Sequence, residues 1–158
     1  MNRKKKVSQN DSNLTVNIVI MENGKMPHYA SKEAAGADLY ASLPDGPIIL
    51  EPNGGRALVP TSIIIELPKG YEAQIRPRSG LAVNNGVTVL NSPGTIDSDY
   101  RGEIKVPLIN HGKEPFTIVH HLRIAQMVIS PVIRSTFKTV DTANETERGS
   151  DGFGSTGV

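Results

Sequence analysis

The stretch Asn91-Ser-Pro-Gly-Thr-Ile-Asp-Ser-Asp-Tyr-Arg-Gly-Glu103 lies between two runs that read as strands. Before it, Val87-Thr-Val-Leu90 is apolar and β-branched. After it, Ile104-Lys-Val-Pro-Leu-Ile109 sets apolar side chains at alternate positions, the period of a half-buried strand. The two runs are expected to pair as a hairpin. A plain hairpin needs only a two-residue turn such as Asn-Gly, whereas this connection carries two carboxylates, Asp97 and Asp99, flanking a serine, then a tyrosine and an arginine. Asp, Ser, Pro and Gly are ordinary loop residues, because they bond to the local backbone or supply special backbone angles. Taken alone, the segment reads as a turn with unusual decoration.

The same strand rhythm extends outward. Leu14 to Ile20 is an expected strand with Val16, Ile18 and Ile20 on one face. Further strands are expected at Ile48 to Leu50, Arg56 to Val59, Ser62 to Glu66, Tyr71 to Arg76, Phe116 to Val119 and Arg123 to Ile129, most of them closed by proline or glycine. Fifteen glycines and eleven prolines argue against a helical bundle and for a sandwich or barrel. Two places depart from this rhythm. Ala30 to Ala41 is alanine-rich enough for a helix, although Gly36 weakens that reading. After Pro77, Ser79 reads as an N-cap, Leu81 to Val83 as one or two helical turns and Asn84-Asn-Gly86 as a stop. With Arg78 beside it, such a helix start is either an anion site or simply a capped, solvated turn.

Composition excludes several classes. The chain has 158 residues, enough for one domain whose core needs neither disulfides nor metals. Its 17 basic and 16 acidic residues nearly balance, so no global field draws it to nucleic acid or membrane, and a small-molecule site is favoured. It has no cysteine, hence no disulfide framework and no thiolate chemistry. No apolar run approaches the ~20 residues of a membrane span. The basic start is followed by polar Ser8 to Asn13 where a signal peptide would need an apolar core. Residues 1–13 are therefore expected to be a disordered tail, 14–140 the folded domain, 141–158 a flexible arm, and the location cytoplasmic. His111, His120 and His121 lack metal-ligand spacing and read as surface residues. Walker-type, zinc-binding and serine-elbow patterns are all missing from the sequence.

The decorated connection resembles the third motif of the trimeric dUTP diphosphatases, and the family's other motifs follow in order. Ala35-Gly-Ala-Asp-Leu-Tyr40 is similar to the first, which favours extended structure there over helix. Pro77-Arg-Ser-Gly-Leu-Ala82 matches the second, Arg123-Ile-Ala-Gln126 the fourth, and Arg148-Gly-Ser-Asp-Gly-Phe-Gly-Ser-Thr-Gly157 is similar to the fifth. One departure is Leu122, which stands where the family usually has an acidic residue, so the charge partner of Arg123 is open. The resemblance spans the chain from about Ala34 to Gly157.

This resemblance implies an all-β, jelly-roll-like β barrel of the dUTPase-like β-clip kind, with one short helix after the second motif and a mobile glycine-rich C-terminal arm. It implies a homotrimer with active sites at subunit interfaces. The reaction would be hydrolysis of dUTP to dUMP and pyrophosphate with Mg²⁺, supplying dUMP for thymidylate synthesis and keeping uracil out of DNA. Asp97 would activate the water. Arg78, Ser79, Gly80, Gln126, Arg148, Ser155 and Thr156 would bind phosphate, with Gly154 in the closing arm and Phe153 stacking on the base. Asn91 and the main chain around Thr95, Ile96 and Lys105 would read uracil, and Tyr100 would pack beneath the deoxyribose, leaving no room for a 2′-hydroxyl. Asp38 is either the contact to Mg²⁺, through water, or a structural residue at a strand end. Three rivals remain at this stage. A dCTP deaminase shares the fold but needs a longer second motif and a glutamate against the pyrimidine; retention of Asp97, Tyr100 and Arg148 together speaks against a nucleotide-binding module without catalysis, and a structural jelly roll leaves the motifs unexplained.

Overall fold

A computed structural model describes residues 14–152; the expected tail at 1–13 and residues 153–158 lie outside the described residues. In chain order the elements are β1 (Asn17–Ile20), β2 (His28–Tyr29), β3 (Ala37–Tyr40), β4 (Ile48–Leu50), β5 (Gly55–Pro60), β6 (Ile63–Glu66), β7 (Tyr71–Arg76), α1 (Ser79–Asn85), β8 (Val87–Val89), β9 (Gly94–Ile96), β10 (Lys105–Asn110), β11 (Phe116–Ile118) and β12 (Arg123–Pro131). Alternation decides most of them: Ala73 and Ile75 of β7, Ile63 and Ile65 of β6, and Val106 and Leu108 of β10 turn inward while their neighbours are more exposed. The region around β3 is extended, as the resemblance implied, and its four residues are all buried. Burial on both faces suits a central strand and outweighs the helix propensity of the alanines before it.

The strands form four sheets: β1-β6, β5-β10-β8, β11-β4 and β2-β3-β12-β7-β9. They surround one core that includes Leu39, Leu50, Val59, Ile65, Ile104, Leu108, Ile118 and Ile124. The all-β class with a single short helix is as expected, but among the described residues the sheets do not close into one hydrogen-bonded ring. Short strands ended by proline and glycine turns leave seams between sheets. The first strand is also shorter than the sequence suggested, starting at Asn17 rather than Leu14. From Val132 to Gly152 the chain forms turns only, and most of it is exposed.

Two local findings bear on the site. The expected hairpin exists, with Val89 facing Leu108 and Val87 facing Asn110. Its connection is more than a loop, however, because β9 leaves the hairpin and pairs with β7 in another sheet, Gly94 facing Ile75 and Ile96 facing Ala73. The helix after the second motif also forms, but Ser79 does not cap it. The N-cap is Arg78, in extended conformation with no side-chain cap bond. The Arg78 carbonyl accepts the first helical N–H, from Ala82, while its side chain is drawn away to Asp38. At the other end Gly86, at φ 68°, closes the helix as expected. There it meets Gly112 backbone to backbone: a Cβ on Gly86 would come within 2.6 Å of the Gly112 nitrogen, and one on Gly112 would collide with the Asn85 carbonyl.

Candidate functional site

Two groups of polar residues form, on different parts of the sheets. The first lines a cleft of about 430 Å³ walled by Leu58, Thr95, Ile96, Asp97, Tyr100, Glu103, Ile104 and Lys105. Here β9 is the edge strand of the five-stranded sheet, so among the described residues one side of its backbone has no strand partner. An edge of this kind offers main-chain donors and acceptors to a planar ligand in the way that it would to another strand. Asp97 follows β9 directly and is exposed, and its carbonyl accepts the Tyr100 N–H at 3.2 Å. Among the described residues its carboxylate makes no ion pair. The Tyr100 hydroxyl donates to the Glu103 carbonyl at 3.0 Å. Its ring lies over Gly102 so closely that a Cβ there would collide with the hydroxyl. Asn91 is exposed at the mouth of the turn, its amide 3.4 Å from where a Cβ on Gly94 would stand.

The second group sits on a row that crosses three strands, where Asp38 of β3 faces Gln126 of β12 and Gln126 faces Arg76 of β7. Asp38 is only 8% exposed. Its two oxygens are taken by two guanidiniums: Arg78 Nε donates to Oδ1 at 3.1 Å and Arg123 Nη1 donates to Oδ2 at 3.0 Å. Arg78 Nη1 also donates to the Arg123 carbonyl at 3.2 Å, which leaves three of its five N–H groups for a ligand. Gln126 Nε2 donates to the Pro77 carbonyl at 2.9 Å, and Gly36 leaves the space that the Gln126 side chain fills. Ser79 and Gly80 are exposed at the start of α1. Arg123 thus has a partner without the acidic neighbour that the resemblance led one to expect. Leu122 in its place is half-buried and packs against the core. Because Asp38 is shared between two half-exposed cations, Asp38→Asn should cost about 2 kcal/mol, between the values for exposed and buried pairs. Chemical denaturation would measure that loss, and an unchanged midpoint would make the triad energetically idle.

The two groups are not brought together in one chain. Ile96 faces Ala73, so Asp97 lies level with Glu72, four residues along β7 from the row at Arg76. At ~3.3 Å per residue this separates them by roughly 13 Å. Arg148 joins neither group; it is exposed and donates from Nε to the Asp151 carbonyl at 2.9 Å. Phe153, Gly154, Ser155 and Thr156 lie outside the described residues. Sequence reasoning missed Arg123 as the second partner of Asp38, Gly102 beneath the tyrosine, and Glu103 in the cleft. A glycine two places after a tyrosine, and a Glu and a Lys two apart and so on one face of an extended segment, were the available signals.

Among the described residues no three His, Cys, Asp or Glu side chains gather to hold a metal ion. Asp38, with both oxygens committed to cations, is unsuited to direct coordination. Its remaining lone pairs can still accept hydrogen bonds from water, which fits a hydrated ion.

Residues 22–157 match the dUTPase family. The deoxyuridine 5'-triphosphate nucleotidohydrolase of Rhizobium rhizogenes (strain K84) is 54% identical over 151 residues, covering 94% of this chain and 97% of that protein. That of Roseobacter denitrificans is 57% identical over 132 residues, covering 84% and 86%. Among solved structures, a mutant dUTPase of Staphylococcus bacteriophage 80alpha with dUpNHpp has the same fold, with a TM-score of 0.80 at 24% identity over 91% of this chain and 99% of that one. A mutant dUTPase from phage phi11 of S. aureus, described with a coordinated structural Mg(II) ion, has a TM-score of 0.72 at 21% identity, over 83% and 99%.

Proposed function

The chain belongs to the dUTPase family and is a hydrolase acting on dUTP, and from that premise we propose how its residues divide the work. Water attacks the α-phosphorus of dUTP, its proton passes to the Asp97 carboxylate, and the α–β anhydride bond breaks to give dUMP and pyrophosphate. Asp97 is suited to this because it stands exposed at the cleft without a competing cation among the described residues. The open edge of β9 around Thr95 and Ile96, with the main chain at Lys105 and the Asn91 amide, reads uracil. Tyr100 packs beneath the deoxyribose and excludes a 2′-hydroxyl by contact. Rejection by clash discriminates more strongly than added attraction.

Arg78, Ser79, Gly80 and Gln126 take the phosphates, joined by Arg148, Ser155 and Thr156 of the arm, with Gly154 also contacting substrate and Phe153 on the base. Fixed N–H and guanidinium donors around the charge that builds in phosphoryl transfer lower the barrier. The separation of roughly 13 Å along β7 supports a site made from more than one copy, the phosphate group of one chain meeting the cleft of another, and hence the homotrimer. Asp38 would accept a hydrogen bond from a water of a hydrated Mg²⁺ carried on the triphosphate, a form of binding this ion favours. When bound, the ion neutralises phosphate charge. The product dUMP would serve thymidylate synthesis, and removal of dUTP would keep uracil out of DNA.

The observation that carries this reading is the cleft that joins a carboxylate, a tyrosine and an open strand edge. Its test is pyrophosphate release from dUTP with Mg²⁺, run beside dCTP, dTTP and UTP. Release from dUTP far above the other three is the expected result. Ammonia from dCTP would move the chain to the deaminases, and dUTP binding without turnover would make it a binding module.

A further inference from the structure

We propose that Glu103 is a positioning residue that sets sugar selectivity through Tyr100; the inference rests on the reading of Tyr100 given above. The Glu103 side chain is 19% exposed and reaches two places at once. Its Oε1 accepts the Ser62 N–H at 2.9 Å, and its Oε2 lies 3.4 Å from Lys105 Nζ. The Glu103 carbonyl meanwhile accepts the Tyr100 hydroxyl. One residue therefore links the aromatic wall of the cleft, its basic wall and the turn between β5 and β6.

Ser62 is an unusually rigid post for such a link. It stands at φ 54°, a left-handed backbone uncommon for a residue with a side chain. Its hydroxyl donates to the Ser42 hydroxyl at 2.8 Å, which donates in turn to the Asn23 carbonyl at 3.1 Å, and its carbonyl accepts the Met21 N–H at 2.9 Å. Every polar group of Ser62 is thus occupied, the N–H by Glu103 alone. The neighbouring bonds hold Ile104, whose N–H goes to the Ile63 carbonyl and whose carbonyl accepts the Thr61 hydroxyl, while Arg101 Nε lies 3.9 Å from Glu66 Oε1, both exposed. The peptide that carries the Glu103 carbonyl is held by the Ile104 N–H, and the Glu103 carboxylate adds a second tie, from the turn of Tyr100 to Glu103 to the Ser62 N–H. Without the carboxylate one of the two ties on Glu103 is lost, and the ring hydrogen-bonded to its carbonyl gains room to tilt away from the sugar, which opens the space where a 2′-hydroxyl would stand.

The test compares kcat/KM for dUTP and UTP, with thermal unfolding, in the wild type and in E103A, E103Q and E103D. In E103A the preference for dUTP over UTP should fall by about tenfold or more, since misplacing a positioning group by roughly 1 Å can cost about 100-fold. KM for dUTP should rise more than kcat falls. E103Q keeps an acceptor for the Ser62 N–H and should keep most of the preference, losing only the Lys105 pair. E103D is too short to span both partners; it should be intermediate, and it carries the test if E103A does not fold. A purely structural Glu103 would lower dUTP and UTP turnover in proportion, so an E103A or E103D protein with the wild-type ratio overturns the inference. E103Q as unselective as E103A would overturn the role of the Ser62 bond. A wild type that hydrolyses dUTP and UTP alike would instead overturn the reading of Tyr100, and this inference with it.

Discussion

Asp97→Asn should lower kcat for dUTP by about 10²- to 10⁴-fold, the range that a positioned general base contributes, while leaving the fold and KM nearly unchanged. The structural grounds are local. The Asp97 side chain is exposed and has no ion-pair partner among the described residues, so the substitution breaks no contact that holds the sheet. The bond that orders the turn runs from the Tyr100 N–H to the Asp97 carbonyl, which asparagine keeps. The amide occupies the same volume but cannot take a proton from water. Steady-state kinetics beside a thermal melt would check this. Unchanged turnover would remove Asp97 from the reaction, and a large fall in the melting midpoint would mean that the carboxylate does structural work not visible in its contacts.

Removing Arg148 to Val158 should leave the folded part as stable as before and reduce kcat/KM by at least about 10²-fold, because losing a single preorganised donor to a developing charge costs that much. Arg148 to Asp151 are exposed, and their hydrogen bonds run to one another and to Thr146 rather than to the core. None of Arg148 to Gly152 belongs to the core. The removed stretch contains Arg148, Ser155 and Thr156, all assigned to phosphate, and a segment that closes over substrate would also exclude water. A truncated protein with full activity would end this assignment. A truncated protein with a lowered melting midpoint would show that the arm braces the sheets.

Strand positions were legible because they follow from alternation and from proline and glycine stops, which are local signals. The third motif was legible as chemistry because Asp97, Tyr100 and Lys105 lie within nine residues of one another in the chain and also share one cleft. What local pattern did not carry is the second sheet assignment within that stretch. Gly94 to Ile96 pair with β7, some twenty residues earlier, and nothing in their own composition names that partner. The cap at Ser79 was misjudged for a related reason. A serine before a helical run is a good cap in isolation, but here the pull of Asp38 on Arg78 sets the chain direction one residue sooner. The open question at Leu122 was resolved by a residue 84 positions away in the chain: Asp38 already pairs with Arg123, which frees position 122 to serve the core.

The contact of Gly86 with Gly112 places a constraint on how this sequence can drift. Two backbones touch there, a Cβ on Gly86 meeting the Gly112 nitrogen and one on Gly112 meeting the Asn85 carbonyl, so enlarging either residue presses on main chain that no side-chain change can withdraw. The first alternative open to the chain is to shift α1 along its axis, and the leading turn of that helix carries Ser79 and Gly80. Inheritable change at a position remote from the cleft would therefore move the turn proposed to bind phosphate, and lineages of this protein are expected to keep both glycines or to lose them only with a rebuilt connection between α1 and β8.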